Sequence, residues 1–452
     1  MFFFAFVSPS FSQEPPLDVS SARNLPARDP NAIDVDGWLL YPSLRLYSLY
    51  SDNLFLSSLR PLSVPGFGVA PSMTAEWTNG IHTTTLYGNL DRQTFPTEND
   101  INTLDGRAGF TQKYEAMRDL IFRVNGDYSH QTWAPGLQNS LQAAPVTPTT
   151  VVLPDGTRVL PDGTKISPSG QVVGQATPAI GSSTQVFVNP SNQYSGTFSM
   201  DKIFNRGILS LGETIGRTEY ENHVLLQNTN RRTFTENAAF WLGPLLYVYS
   251  DGSIGTVVTE ATSGSTTSYR VLGGLGTRQF GLWRGSLYYG HQGSQGDAPA
   301  AGLTNNFSAS GDIYGGSISY YPTPQLTFTG TVDRTINISS QNSATNLALT
   351  LPSFAPIQVA LTASSRSTSA SLTSTYEITQ QWFLNALLGY FRVEYVGSTR
   401  VDNSWVANAT LRYDIWKNMS LAWEYRYRSI ISNAPLATVN SNYFAMGTTY
   451  RF

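Results

Sequence analysis

From Gly37 to the last residue, apolar side chains recur at every second position in runs of roughly ten residues, the pattern of strands in a membrane barrel. Nowhere do they approach the ~18 consecutive apolar residues of a transmembrane helix. The clearest run has Leu421, Trp423, Tyr425 and Tyr427 alternating with Ala422, Glu424, Arg426 and Arg428. Successive side chains of a strand point to opposite faces, so one face is apolar and aromatic and the other is charged. The period alone fits both a soluble sandwich, apolar face inward, and a membrane barrel, apolar face outward.

Three features favour the barrel. Phe444, Met446, Thr448, Tyr450 and Phe452 share one face, and Phe452 is the final residue. An aromatic last residue with a second aromatic two positions earlier resembles the C-terminal assembly signal of bacterial outer-membrane barrels, with Phe444, Met446, Tyr450 and Phe452 as its residues. Short turns (Asn79-Gly80, Gly243-Pro244, Pro322-Thr323-Pro324, Trp416-Lys417-Asn418) alternate with longer polar loops, as periplasmic turns and extracellular loops do. The runs also number about eighteen, nine upward from 38–50 to 418–430 and nine downward from 67–78 to 440–452, which returns the C-terminus to the periplasmic side. The expected fold is all-β, a transmembrane antiparallel up-and-down barrel of about 18 strands, with 16 as the alternative. A ring of that size encloses an aqueous channel.

Composition agrees. Charged residues make up only 13%, and Ser, Thr, Asn, Gln and 38 Gly carry the polarity. The chain has no cysteine, hence no disulfide framework or thiolate metal site. A net charge of −3 gives no basic footprint for nucleic acid. Residues 1–12, with Phe2-Phe3-Phe4-Ala5-Phe6-Val7 and Ser10-Phe11-Ser12, read as a residual signal peptide. Residues 13–36 read as a periplasmic extension and 37–452 as the barrel. Its longest loop, near 131–190, carries Leu153-Pro154-Asp155-Gly156-Thr157 and Leu160-Pro161-Asp162-Gly163-Thr164. Pro-Asp-Gly is turn chemistry, so one or two small hairpins are expected, either in an extracellular flap or in a segment folded into the pore.

No catalytic or cofactor site is expected. His82 lies beside a periplasmic turn and His130, His223 and His291 at extracellular strand ends, where rim histidines are the better account. Asp34-Val35-Asp36-Gly37 lacks the closing Glu and the spacing of a calcium loop and reads as a turn. Gly273, Gly315 and Gly330 mark close packing or bends. Charge facing lipid is costly, so Arg107, Arg123, Asp127, Arg284, Asp312, Arg412, Glu424, Arg426 and Arg428 are assigned to the lumen. There they act on the pore's field or pair off among themselves, and their mixed signs argue against strong ion selectivity. Trp38, Tyr41, Tyr321, Trp382, Phe383 and Trp416 are expected as rim anchors. Tyr288 is a candidate for sugar stacking from inside.

The opening strand carries a family likeness. Gly37-Trp38-Leu39-Leu40-Tyr41-Pro42-Ser43-Leu44, leading to Tyr50-Ser51-Asp52-Asn53-Leu54-Phe55, resembles the putative β-barrel porin 2 family of outer-membrane proteins. Ser51 stands where acidic residues are common in that family. The resemblance implies an outer-membrane barrel and, through members found at exopolysaccharide or capsule loci, polysaccharide traffic. The leading expectation is a pore for polar solutes, saccharides included. The alternatives are an accessory barrel of polysaccharide export and, last, an outer-membrane enzyme. Expected partners are outer-membrane lipid and lipopolysaccharide, the barrel-assembly machinery and, for the second reading, polysaccharide-export proteins.

Overall fold

The computed structural model describes residues 32–54, 56, 61–98, 101–133, 189–221, 228–260, 265–278, 280–296, 307–337, 365–395, 401–433 and 438–452, together with the backbone of short strands within 151–174 and 344–360. Eighteen long strands close one antiparallel ring. They are β1 (Trp38–Ser51), β2 (Val64–Thr78), β3 (His82–Thr94), β4 (Thr103–Met117), β5 (Leu120–Trp133), β6 (Asn189–Phe204), β7 (Gly207–Tyr220), β8 (Thr229–Trp241) and β9 (Leu246–Thr259), followed by β10 (Ser265–Thr277), β11 (Trp283–Gly296), β12 (Phe307–Thr323), β13 (Leu326–Asn337), β14 (Ser365–Glu377), β15 (Trp382–Tyr395), β16 (Val401–Trp416), β17 (Met419–Ser432) and β18 (Val439–Arg451). Each pairs with its sequence neighbours, and β1 pairs with β18 from Ser43↔Arg451 to Ser51↔Tyr443. A ladder thus joins every strand to both neighbours round the ring, as a non-aqueous surrounding requires.

Connections at one end of the ring have at most five residues, and those at the other end have five or more. Two turns sit slightly off expectation: β12 runs through Thr323 and turns at 324–325, and Trp416 closes β16 before a turn at 417–418. The wall also begins earlier than expected. Ile33–Val35 pairs back on β1 (Ile33↔Leu40, Val35↔Trp38). Asp36 (φ 52) and Gly37 (φ 81) form its two-residue turn, the positive-φ geometry that matches strand twist, and Asp34 Oδ1 accepts from the Gly37 amide at 3.2 Å. The stretch considered for calcium is therefore a hairpin turn.

Within the longest loop, Val151–Val152, Arg158–Val159, Lys165–Ile166 and Val172–Gly174 form a small antiparallel sheet. The Pro-Asp-Gly stretches at 154–156 and 161–163 lie outside the described residues. The proposed signal peptide, residues 13–31, Phe55 and His223 lie outside the described residues.

Inside and outside are told apart by crowding. The buried polar side chains Ser51, Ser129, Asp201, Asp251, Ser294, Asp402 and Ser441 share one face of the sheet. Side chains of that face also reach across an intervening strand: Tyr47 donates to Asp91 at 2.6 Å and Tyr87 to Asp127 at 2.5 Å. Only the concave circumference brings alternate strands that close, so this face is the lumen. The other face exposes Phe67, Val69, Leu86, Phe110, Phe198, Ile215, Leu287, Leu388, Trp405 and Phe444. In water so much exposed apolar area would aggregate, whereas in lipid it is the stabilising surface.

The segment that carried the family likeness closes the ring. Asp52 accepts from the Asn442 amide and from Asn442 Nδ2, each at 2.7 Å, and Asn53 Nδ2 donates to the Asn440 carbonyl at 3.1 Å. Below them Leu54 and Phe95 are fully buried among Leu49, Val64 and Tyr443. The first strand is thus fastened to the last by side chains as well as by the ladder.

Candidate functional site: the inner wall

Arg107, Arg123, Asp127, Arg284, Arg412, Glu424, Arg426 and Arg428 lie at positions of lumen parity, which follows from their registered partners. Arg123 and Lys113 face each other, as do Arg412 and Ala422, Glu424 and Ala445, and Arg428 and Ser441. Most form ion pairs along the wall. Arg107 meets Asp127 at 2.6 Å, Arg412 meets Asp414 at 3.1 Å, Arg426 meets Glu424, and Arg123 meets Asp201. Further inward pairs were not singled out in the sequence: Arg270 with Asp251 at 3.4 Å and Lys113 with Glu115 at 2.5 Å. The partners come either from neighbouring strands, which only the register reveals, or from positions i and i+2 of one strand. The result is a polar inner surface in which opposite charges are neutralised locally.

Asp312 must be corrected. Its registered partner is His291, and its parity is that of Tyr314, Ile318 and Tyr320 on the outward face. The ladder to β11 fixes that parity regardless of the carboxylate's preference. At this outward position Asp312 bonds His291 Nδ1 at 3.1 Å and also the Tyr289 hydroxyl. Topology thus creates a His–Asp pair that sequence order does not suggest, and it faces away from the channel. The other described histidines are outward too: His82 stacks on Tyr114 at 4.7 Å, and His130 Nδ1 contacts Asn192 Oδ1 at 2.9 Å.

The most regular feature of the lumen is a set of tyrosines laid against glycines of the neighbouring strand. Tyr47 faces Gly68, Tyr87 faces Gly109, Tyr249 faces Gly274, Tyr247 faces Gly276 and Tyr288 faces Gly315. A Cβ on Gly68, Gly274 or Gly276 would fall within 2.0, 2.3 or 2.2 Å of the ring it faces, and on Gly315 within 2.5 Å of the Tyr288 hydroxyl. Only glycine lets the ring lie this close. Of the glycines singled out in the sequence, Gly315 serves this purpose; Gly273 and Gly330 have ordinary spacing. Tyr247 and Tyr249 stand 5.9 Å apart, and Tyr249 and Tyr288 flank the apolar lumen cluster of Leu272, Ala309, Ile313 and Ile336. Cations cover lumen rings both in this set and beyond it: Arg45 over Tyr47 and Arg426 over Tyr443, both at 4.7 Å, and Arg412 over Phe383 at 4.3 Å.

Outward aromatics pair across strands in two bands. Trp38–Trp77 (6.3 Å), Trp283–Tyr320 (4.1 Å) and Trp382–Tyr413 (4.6 Å) lie near the short-turn end. Tyr128–Tyr194 (5.2 Å), Tyr390–Trp405 (4.8 Å) and Tyr425–Phe444 (4.7 Å) lie toward the loops. Trp38, Trp382 and the exposed Trp416 fit the anchoring role. Tyr41 and Phe383 have lumen parity and do not, because an anchor must meet the membrane surface. Tyr321 follows the last regular partner of β12 at a register irregularity. The four residues of the expected assembly signal, Phe444, Met446, Tyr450 and Phe452, are exposed on the outward side of β18 and just beyond its end.

Among the described residues no three His, Asp or Glu side chains gather as metal ligands.

Similar proteins are membrane barrels. OpdL of Pseudomonas aeruginosa is 12% identical over 92% of this chain and 100% of its own, with a TM-score of 0.43. OccAB2 of Acinetobacter baumannii is 12% identical over 94% of this chain and 100% of its own, with a TM-score of 0.44. The ferric-catecholate import receptor Fiu of E. coli K12 is 7% identical over 91% of this chain and 81% of its own, with a TM-score of 0.44. No protein of curated function matches the sequence. The family described as "Putative beta-barrel porin 2" matches residues 162–452, well over half of the chain. A closed eighteen-strand ring, a polar inner wall and that match identify the chain as a member of the putative β-barrel porin 2 family.

Proposed function

We propose that this barrel lies in the outer membrane and passes polar solutes, saccharides among them, by diffusion through its lumen. The observation that carries the reading is the inner wall, where locally neutralised ion pairs stand beside tyrosine faces held flat on glycine. Eighteen strands enclose room for water. Paired charges of both signs leave no long single-sign field to reject anions or cations. Flat aromatic rings next to hydrogen-bonding groups are surfaces on which sugar rings stack. Tyr247, Tyr249 and Tyr288 are the residues assigned to that contact, and the lumen-facing arginines and carboxylates bond hydroxyls.

The test is single-channel conductance of the refolded protein in a planar bilayer, with maltodextrins added as blockers. A steady conductance with weak ion selectivity is expected, together with sugar block that weakens in Tyr249→Ala and Tyr288→Ala. A parallel deletion of 140–185 asks whether the long loop closes the pore. Silence in both the intact and the deleted barrel would overturn the pore reading and leave the accessory-barrel alternative. Conduction with no sugar effect would remove the saccharides and keep the pore.

A further inference from the structure

One pair of neighbouring strands parts before it reaches the loops. The ladder between β12 and β13 ends at Tyr314↔Arg334. Above it, among the described residues, Phe307–Ile313 pairs only with β11 and Thr335–Asn337 only with β14. Tyr314 is six residues above Tyr320, which stacks on Trp283 in the short-turn aromatic band. At ~3.3 Å per residue and ~40° of tilt that is roughly 15 Å up a band about 25 Å tall, so the strands separate within its upper half. Irregular backbone at such depth persists where protein covers it or where it lines a cavity.

Beyond the split the wall overlaps instead of abutting. By alternation Ile336 should share the outward face of Val332 and Arg334, yet it is 2% exposed and packs with Leu272, Ala309 and Ile313 of the lumen. A Cβ on lumen-facing Gly311 would lie 3.1 Å from Ile336 Cδ1. The tip of β13 therefore lies over the inner face of β12. A side chain of β11 fastens it there: Gln292 Nε2 donates to the Ile336 carbonyl at 2.9 Å, and the Ile336 amide donates to Gln292 Oε1 at 3.3 Å. The slit between the two layers has an apolar inner lip of Ala309, Ile313 and Ile336. Its outer lip is polar. There Arg334 Nη1 donates to the Tyr314 hydroxyl at 3.3 Å, and its buried Nε has no acceptor among the described residues. The neighbouring Asp312 is held by His291 and Tyr289.

We infer that this overlap is a lateral passage between the lumen and the outer leaflet, used by a single-chain amphiphile with a small hydrogen-bond-accepting head such as a carboxylate. The apolar chain takes the place of Ile336 against Ile313 and Ala309, and the head rests on Arg334. A continuous ladder would have to lose a run of backbone hydrogen bonds to let a chain through, whereas Gln292 and Ile336 hold this joint with side-chain contacts. Axial diffusion of polar solutes needs no such opening, so the passage is a second function, separate from the pore.

The chain has no cysteine, so an engineered pair can lock the joint. Gly311→Cys with Ile336→Cys would be folded into vesicles, checked by heat-dependent gel mobility, and exposed to a long-chain fatty acid carrying a diazirine, with labelled residues read by mass spectrometry. The pair should oxidise readily, because the two sites overlap. In the reduced protein the probe should label lumen-facing Leu272, Tyr288 and Ile313; oxidation should abolish that labelling and reduction restore it. A control pair, Ser317→Cys with Thr331→Cys, sits within the ladder and should change nothing on oxidation. In the cysteine-free chain, Gln292→Ala should raise the labelling about fivefold, the shift expected on losing about one net hydrogen bond, and Arg334→Gln should lower it. Excess dodecanoate should compete with the probe and acetate should not. A Gly311/Ile336 cysteine pair that refuses to oxidise would remove the overlap on which the proposal rests. Lumen labelling equal in the oxidised and reduced protein would overturn the proposal and assign entry to the axial pore. Acetate competing as well as dodecanoate would overturn the amphiphile.

Discussion

Asp52 offers the most direct test of how this ring is closed. Its two carboxylate oxygens each receive a hydrogen bond of 2.7 Å from Asn442, one from the backbone and one from the side chain, across a sequence separation of 390 residues. Hydrogen bonds to a charged group contribute about 1.5–3 kcal/mol each when their partner is left unsatisfied. The site is half-buried, so water recovers part of that, and the two bonds are not additive. Asp52→Ala should therefore lose about 2–3 kcal/mol, roughly a 30- to 150-fold shift in the folding equilibrium. Asp52→Asn should lose about half as much. It keeps an oxygen for the backbone amide, but its NH2 meets Asn442 Nδ2 unless Asn442 flips, and a flip would take Oδ1 away from the Tyr425 hydroxyl, which donates to it at 2.9 Å. The assay is urea-dependent folding into phospholipid vesicles, followed by tryptophan fluorescence and by gel mobility of unheated samples. If both variants stay within about 0.5 kcal/mol of the parent, a level typical of neutral surface changes, the seam is held by the backbone ladder alone and the reasoning fails.

Three further outcomes are expected. Gly68→Ala forces the Tyr47 ring off its seat and breaks the bond to Asp91, at a cost of about 1–3 kcal/mol in the same urea titration; Tyr47→Phe should cost only about 1 kcal/mol, and equal losses would show that ring and glycine are not coupled. Arg426→Glu reverses one charge in the inward Glu424, Arg426, Arg428 group, so the reversal potential in a salt gradient should move toward cation preference. An unchanged potential would place the group outside the conducting path. Deleting Phe452 removes an amide bonded to the Pro42 carbonyl at 3.1 Å and a ring edge-on to Tyr450 at 4.8 Å; folding in vesicles should change little while the amount assembled in cells falls, and normal assembly would remove the signal role proposed for this residue.

The strands themselves were legible in the sequence because a period of two is a local property. Each residue's face depends on its immediate neighbours, so runs such as Leu421–Arg428 announce both their span and their polarity. Closure could be inferred from the even count and from Phe452 at the end. Assignment failed where charge was allowed to outvote period. Asp312 shares its face with Tyr314, Ile318 and Tyr320, and the ladder to β11 holds it there whatever the carboxylate prefers.

What tertiary structure decided is which residues meet. The glycine beneath Tyr249 lies 25 positions further along the chain, and the partner of Asp52 lies at the far terminus. The ion pair of Glu213 with Arg232 and the approach of His291 to Asp312 depend likewise on strand register. Register is set by hydrogen bonds summed along whole strands and by the closure of the ring. A single sequence records the side chains that will face one another only after that sum has been made.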